Sequence, residues 1–307
     1  MRIFYDIDDP MTAGGPTVAT PGGPNRPTPN LPTGGNSPTP NPPTPTIIPK
    51  PNYADPASRL QYAQSFYKQY PGIGHGNGDT PLRINEVPNT DFDKQTPKQM
   101  STEIGSKLGI DPALLYSSAM NEGMSGLWND KDGNIVGTSD KKFPVSGYNS
   151  FGLDNFSDAY PALVKKGYLP PDFQNNFVKH AIPPQEGDNK TTVNSADFVD
   201  AKSALTAKAA MMKMEYDDID SYAKQRKITL SPKARDFFAL TDYNGGEGTG
   251  HQMINDYNKN GLLEGDKFLE SRPTSGTGLK ADSYKKVYQN VSQRLAMRDA
   301  LKEQQLF

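Results

Sequence analysis

From residue 96 onward, apolar side chains recur at three- and four-residue intervals, and strict alternation of apolar and polar positions is scarce. That spacing predicts helices packed through one face. The first runs over 97–108, with Pro97 near its start and Gly109 just past its end. Asp111 then caps a second helix that begins at Pro112 and reads ALLYSSAMNEG. SFGLDNFSDAYPALVKKGYL reads as a turn, a helix and a stop at Gly167. Residues 196–225 are expected to form the longest helix, with Phe198, Leu205, Ala209, Met212, Tyr216 and Ile219 along one stripe. ARDFFALTDYNGG gives a further helix broken by glycine. DSYKKVYQNVSQRLAMRDAL closes the pattern, with Tyr284, Val287, Tyr288, Val291 and Leu295 in register. Strand signals are few and short and no internal repeat is visible, so a mainly α protein is expected.

The chain before residue 96 reads differently. More than half of the 28 prolines precede Ala57, and GGPNRPTPNLPTGGNSPTPNPPTPTIIPKPN holds too few apolar groups to offset chain entropy. Its prolines favour extended polyproline II backbone. Residues 1–55 are therefore expected to be an extended Pro/Thr/Gly-rich arm, with MRIFYDI as an anchor at its tip. Residues 56–95 follow as a short helix and linker: Leu60, Ala63, Phe66, Tyr67 and Tyr70 keep helical spacing until Pro71 and the glycines at 72, 74, 76 and 78. The compact domain is assigned to 96–307.

Charge and composition narrow the chemistry. The formal net charge of −2 argues against a nucleic-acid surface, which requires a basic excess. The chain has no Cys, which excludes disulfides and cysteine-based ligands or nucleophiles. Its three His, at 75, 180 and 251, show no His-x-x-x-His pair, and no metal or other cofactor is expected. The N-terminus lacks the apolar core of a secretory signal, and no apolar run reaches membrane-span length.

Against that background one carboxylate stands out. Leu115, Ala119 and Glu122 share the apolar face of the helix from Pro112, and Gly123 follows at once. Partial burial favours the protonated form of a carboxyl group, which is the form a general acid uses. Three downstream segments bear on this Glu. NSFGLDNF contains Ser150, Phe151, Gly152, Leu153, Asp154 and Asn155; TDYNGGEG contains Tyr243 and Asn244; and KADSYKKV places Tyr284 ahead of two lysines and Val287. In this order, behind a helix-terminal Glu, they resemble the lysozyme-like domain of soluble lytic transglycosylases. The resemblance covers roughly residues 97 to 295. It departs from the family pattern at Gly123, Asp154, Asn155 and Asp242, where that family has Ser, Met, Gln and Ala.

The resemblance implies a lysozyme-like fold and cleavage of peptidoglycan glycan strands between N-acetylmuramic acid and N-acetylglucosamine. It implies Glu122 as the single acid and base. Ser150, Gly152, Leu153, Asn155, Tyr243, Asn244 and Tyr284 would bind substrate or position Glu122. Trp128 and Phe151 are read as sugar-stacking or core residues. Asp154 is expected in a polar turn, Asp242 on a helix surface and Glu247 in an exposed loop, so none is assigned as a second catalytic carboxylate. With the proline-rich arm, these features suggest a bacteriophage particle protein that breaches the host wall, the arm docking on a tail or capsid partner. A hydrolytic muramidase and a catalytically inactive structural or adaptor protein of the virion are the competing readings.

Overall fold

The computed structural model describes residues 84–87, 94–127, 140–182, 192–246, 248–265, 267–270, 281–303 and 305–307. The arm expected over 1–55 and the helix expected over 56–70 lie outside the described residues.

Helix α1 (Pro97–Leu108) is bounded as its sequence requires. Thr96 accepts a hydrogen bond from the Gln99 amide and the Gln99 side chain returns one to Thr96, which makes a capping box. Helix α2 (Pro112–Asn121) starts where the Asp111 carboxylate accepts from the Ala113 amide, at 2.9 Å. All of its residues from Ala113 to Asn121 are buried. Glu122 is its C-terminal cap residue, a 3-10 turn covers Met124–Leu127, and a short strand β1 (Val145–Ser146) leads into helix α3 (Gly147–Phe151). Helix α4 (Phe156–Lys165) ends before Gly167, as expected.

The long helix differs from its sequence expectation. Strands β2 (Phe177–Ile182) and β3 (Val193–Phe198) form an antiparallel hairpin, and helix α5 begins only at Ala201 and runs to Arg226. Phe198 therefore belongs to a strand and not to the helix stripe. Two interactions decide this. Strand β3 is central in the order β1-β3-β2, so its backbone groups are paired on both sides. The Asp200 carboxylate then accepts from the Ser203 amide at 2.6 Å, which fixes the helix start three residues beyond the strand.

Helices α6 (Pro232–Gly245), α7 (Thr249–Lys259), α8 (Lys267–Glu270) and α9 (Ala281–Glu303) complete the described elements. Helix α2 packs between α1 and α9, α5 packs on α1 and α6, and α6 also meets α7 and α9. The core is largely apolar, and aromatic side chains that are part of it join the sheet to α4: Phe156 lies 5.0 Å from Phe177 and 5.3 Å from Phe198, ring centre to ring centre. Among the described residues the architecture is mainly α with one small antiparallel sheet. No helix among the described residues is long and apolar enough to cross a membrane.

Candidate functional site

The end of α2 has a specific local geometry. Glu122 sits at φ −95° and ψ 0°, and Gly123 follows at φ 114°, a conformation that only glycine adopts without strain. The chain thus turns away immediately after Glu122 and leaves its side chain directed across the helix end. That side chain is 16% exposed, so it is mostly enclosed but keeps some solvent contact.

Residue Gly152 faces it. It adopts φ 61°, and a Cβ placed there would overlap Glu122 Oε2 and lie 2.6 Å from its Cδ. The carboxylate therefore rests on bare backbone, and a larger residue at 152 would displace it. Hydrogen bonds from the Gly152 amide to Tyr148 O (3.2 Å) and from the Leu153 amide to Gly147 O (3.0 Å) hold this turn. The sheet supports it as well, because Ser195 Oγ donates to Leu153 O at 2.7 Å.

Two residues of α6 reach the same point. The Tyr243 hydroxyl donates to Gly152 O at 3.3 Å. Asn244 offers Oδ1 to the Arg294 guanidinium at 2.8 Å while its Nδ2 donates to Leu240 O at 2.6 Å. Glu122, Gly152, Tyr243 and Asn244, drawn from three separate stretches of sequence, thus meet at one place.

The remaining expected residues are placed otherwise. Leu153 is fully buried core, and so is Phe151. Ser150 is buried and its Oγ finds no hydrogen-bond partner among the described residues. Asn155 occupies the N-cap position of α4 without a side-chain capping bond and is partly buried. Tyr284 falls on α9, and its side chain lies outside the described residues, as do Trp128 and Glu247. Asp154 lies in the turn as expected. Asp242 departs from expectation: it is fully buried rather than on a helix surface, and it accepts from the Gly250 amide at 2.6 Å.

Sequence reasoning missed two residues of the site, and both are cations. Arg294 on α9 is 1% exposed and donates through Nη2 to Glu122 Oε1. Lys208 on α5 is fully buried, with Nζ 3.8 Å from the same oxygen. Lys208 also donates to Phe151 O at 3.1 Å and to the Tyr243 hydroxyl at 3.0 Å. The apolar helix face is therefore only part of the Glu122 environment, since two buried cations lie beside its carboxylate. A signal for Lys208 was present: it is a lone cation between Ala207 and the run Ala209-Ala210-Met211-Met212. Arg294 precedes Leu295 and follows Val291 by three, which sets it at the border of the apolar stripe.

Elsewhere, Asp218, Asp242 and His251 bring ligand-type atoms within 4.8 Å of one another. His251 Nε2 lies 2.8 Å from Asp218 Oδ2 and 3.9 Å from Asp242 Oδ2, and Tyr222 stacks on the imidazole at 3.9 Å. Despite this spacing His251 Nε2 and Asp218 Oδ2 are buried and do not meet hydrogen-bond geometry, so the three residues form a histidine–carboxylate cluster where α5, α6 and α7 meet.

Comparison of the chain with protein-family models, curated proteins and solved structures finds no match.

Proposed function

We propose that this protein is a lysozyme-like lytic transglycosylase that cuts peptidoglycan glycan strands, with Glu122 as its acid and base. The observation that carries this reading is the convergence of Glu122, Gly152, Tyr243 and Asn244 on one partly open carboxylate. Chance matches to short motifs have no reason to meet in space. Protonated Glu122 would deliver its proton to the glycosidic oxygen as the bond to C1 breaks. The anion so formed would then take the proton of the muramoyl 6-hydroxyl as that oxygen closes on C1. The products are a 1,6-anhydro end and a free 4-hydroxyl, with no water consumed. Delivery to the wall by a bacteriophage particle, through the arm over 1–55, is the part of the proposal that composition alone supports.

A specific observation favours a second reading. The ion pairs of Glu122 with Arg294 and Lys208 tie α2, α5 and α9 together, which also suits a structural protein that retains the site's frame without activity. Purified full chain and Glu122→Gln, each incubated with isolated sacculi and analysed by mass spectrometry, separate the possibilities. Anhydro-terminated fragments from the parent and none from the variant support the proposal. Reducing ends would make the protein a hydrolytic muramidase, and sacculi left intact at every pH tested would favour the structural reading.

A further inference from the structure

We propose that Arg294 and Lys208 are positioning residues that hold Glu122 as the carboxylate anion and thereby confine its service as an acid to acidic surroundings. This rests on the reading of Glu122 as the reacting carboxylate and concerns the groups that set its proton.

The charged or titratable groups that the structure shows facing Glu122 come from three helices. Helix α9 supplies the Arg294 guanidinium, α5 supplies the Lys208 ammonium, and α6 supplies the Tyr243 hydroxyl, which bridges Lys208 and Gly152 O. From α3 and its following turn come uncharged groups, Gly152 and the Phe151 carbonyl. Two cations therefore act on one carboxylate oxygen, and both are fixed. Arg294 is tied through Asn244, and Lys208 through Phe151 O, the Tyr243 hydroxyl and the Tyr243 ring, whose centre lies 4.5 Å from Nζ.

Burial and charge act in opposite directions on Glu122, and their relative size decides its state. Desolvation favours the neutral acid, but this side chain keeps 16% exposure, whereas Arg294 keeps 1% and Lys208 none. The cations are the more deeply buried partners, and an ion enclosed without its counter-ion is strongly disfavoured. An opposite charge within about 4–6 Å typically lowers a carboxyl titration midpoint by about 1–3 pH units. The anion is therefore the resting form near neutrality. Above the midpoint, the protonated fraction falls about tenfold for each pH unit.

The same cations assist the step they ration. As the proton leaves Glu122, negative charge develops on Oε1, where a preorganised guanidinium and ammonium already lie. The proton is scarce at neutral pH and well stabilised in its departure. A purely structural ion pair has no requirement for the solvent exposure that the Glu122 side chain retains.

The test is a carbon-13 NMR titration of the full chain labelled at glutamate Cδ, with the Glu122 signal assigned by its loss in Glu122→Gln. In the parent chain, Glu122 is expected to titrate below the ordinary glutamate value of about 4.3. In Lys208→Met and Arg294→Gln it is expected to move up by about one pH unit or more. The alkaline limb of sacculus cleavage is expected to shift upward with it in Lys208→Met. A parent midpoint at or above the ordinary value overturns the assignment even if neither variant folds. So does a midpoint unmoved in a folded variant. A depressed midpoint that rises in the variants, in a protein that cuts no sacculi at any pH, upholds the positioning role and removes the catalytic reading instead.

Discussion

Gly152→Ala perturbs the one place where the site's backbone and its carboxylate touch. Two costs can be worked from the geometry. At φ 61° an alanine pays for a left-handed backbone, about 1–2 kcal/mol. Its methyl group would also overlap Glu122 Oε2 and stand 2.6 Å from Cδ and 3.2 Å from Cβ, so the carboxylate must swing off its seat. That movement sacrifices the Arg294 hydrogen bond, a charged interaction worth about 1.5–3 kcal/mol. The sum is a loss of about 2.5–5 kcal/mol, which for a folded region of this size lowers Tm by roughly 5–20 °C. A double-mutant cycle separates the two costs. In a Glu122→Ala background no carboxylate is left to displace, so Gly152→Ala should then cost only the backbone share of about 1–2 kcal/mol. Urea denaturation followed by circular dichroism gives all four stabilities. Equal costs of Gly152→Ala in the two backgrounds would refute the placement of Glu122 against Gly152, and with it the geometric basis of the site.

Other outcomes follow from the same structure. Tyr243→Phe removes the hydroxyl shared by Lys208 and Gly152 O, and should cost about 1–3 kcal/mol in urea denaturation because a buried ammonium loses a partner, together with most sacculus cleavage. Asp200→Ala deletes the cap that sets the start of α5 and should cost about 0.5–2 kcal/mol by thermal melting; no cost would mean that the helix starts elsewhere. For Asp217, burial acts upward on the carboxyl but is outweighed by the hydrogen bonds from Lys213 and Tyr168 and the Lys213 charge, and the net shift is downward from the ordinary 3.8. A depressed folded value contributes stability above 3.8 that is lost as pH falls through the folded value. The stability advantage of the parent over Asp217→Asn should therefore shrink as pH is lowered through that range in urea titrations, and an advantage that grows toward low pH would contradict the pairing.

Helix positions were legible where local chemistry decides them. Pro97, Asp111 and Pro112, and Gly109 mark helix ends through backbone conformation and hydrogen bonding within a few residues, and the structure honours each. The boundary at Phe198 was not legible. Its side chain suits a helix stripe or a strand equally, and only pairing with β1 and β2 on either side decided for the strand. Asp242 illustrates the same limit from the other side, since a helical Asp reads as exposed until the Gly250 amide from another helix is known to meet it.

The candidate site divides along the same line. That Glu122 ends a helix with an apolar face, with a glycine directly behind it, could be read from the residues, because periodicity and backbone freedom are local properties. The sequence also marked Gly152, Tyr243 and Asn244, though not their meeting. The charge environment is set by the fold, for Lys208 is 86 residues and Arg294 172 residues from Glu122, by difference in residue number. Electrostatic interaction depends on distance in space and not along the chain. Hence a carboxyl that reads along the chain as isolated on an apolar face lies, once folded, beside two buried cations.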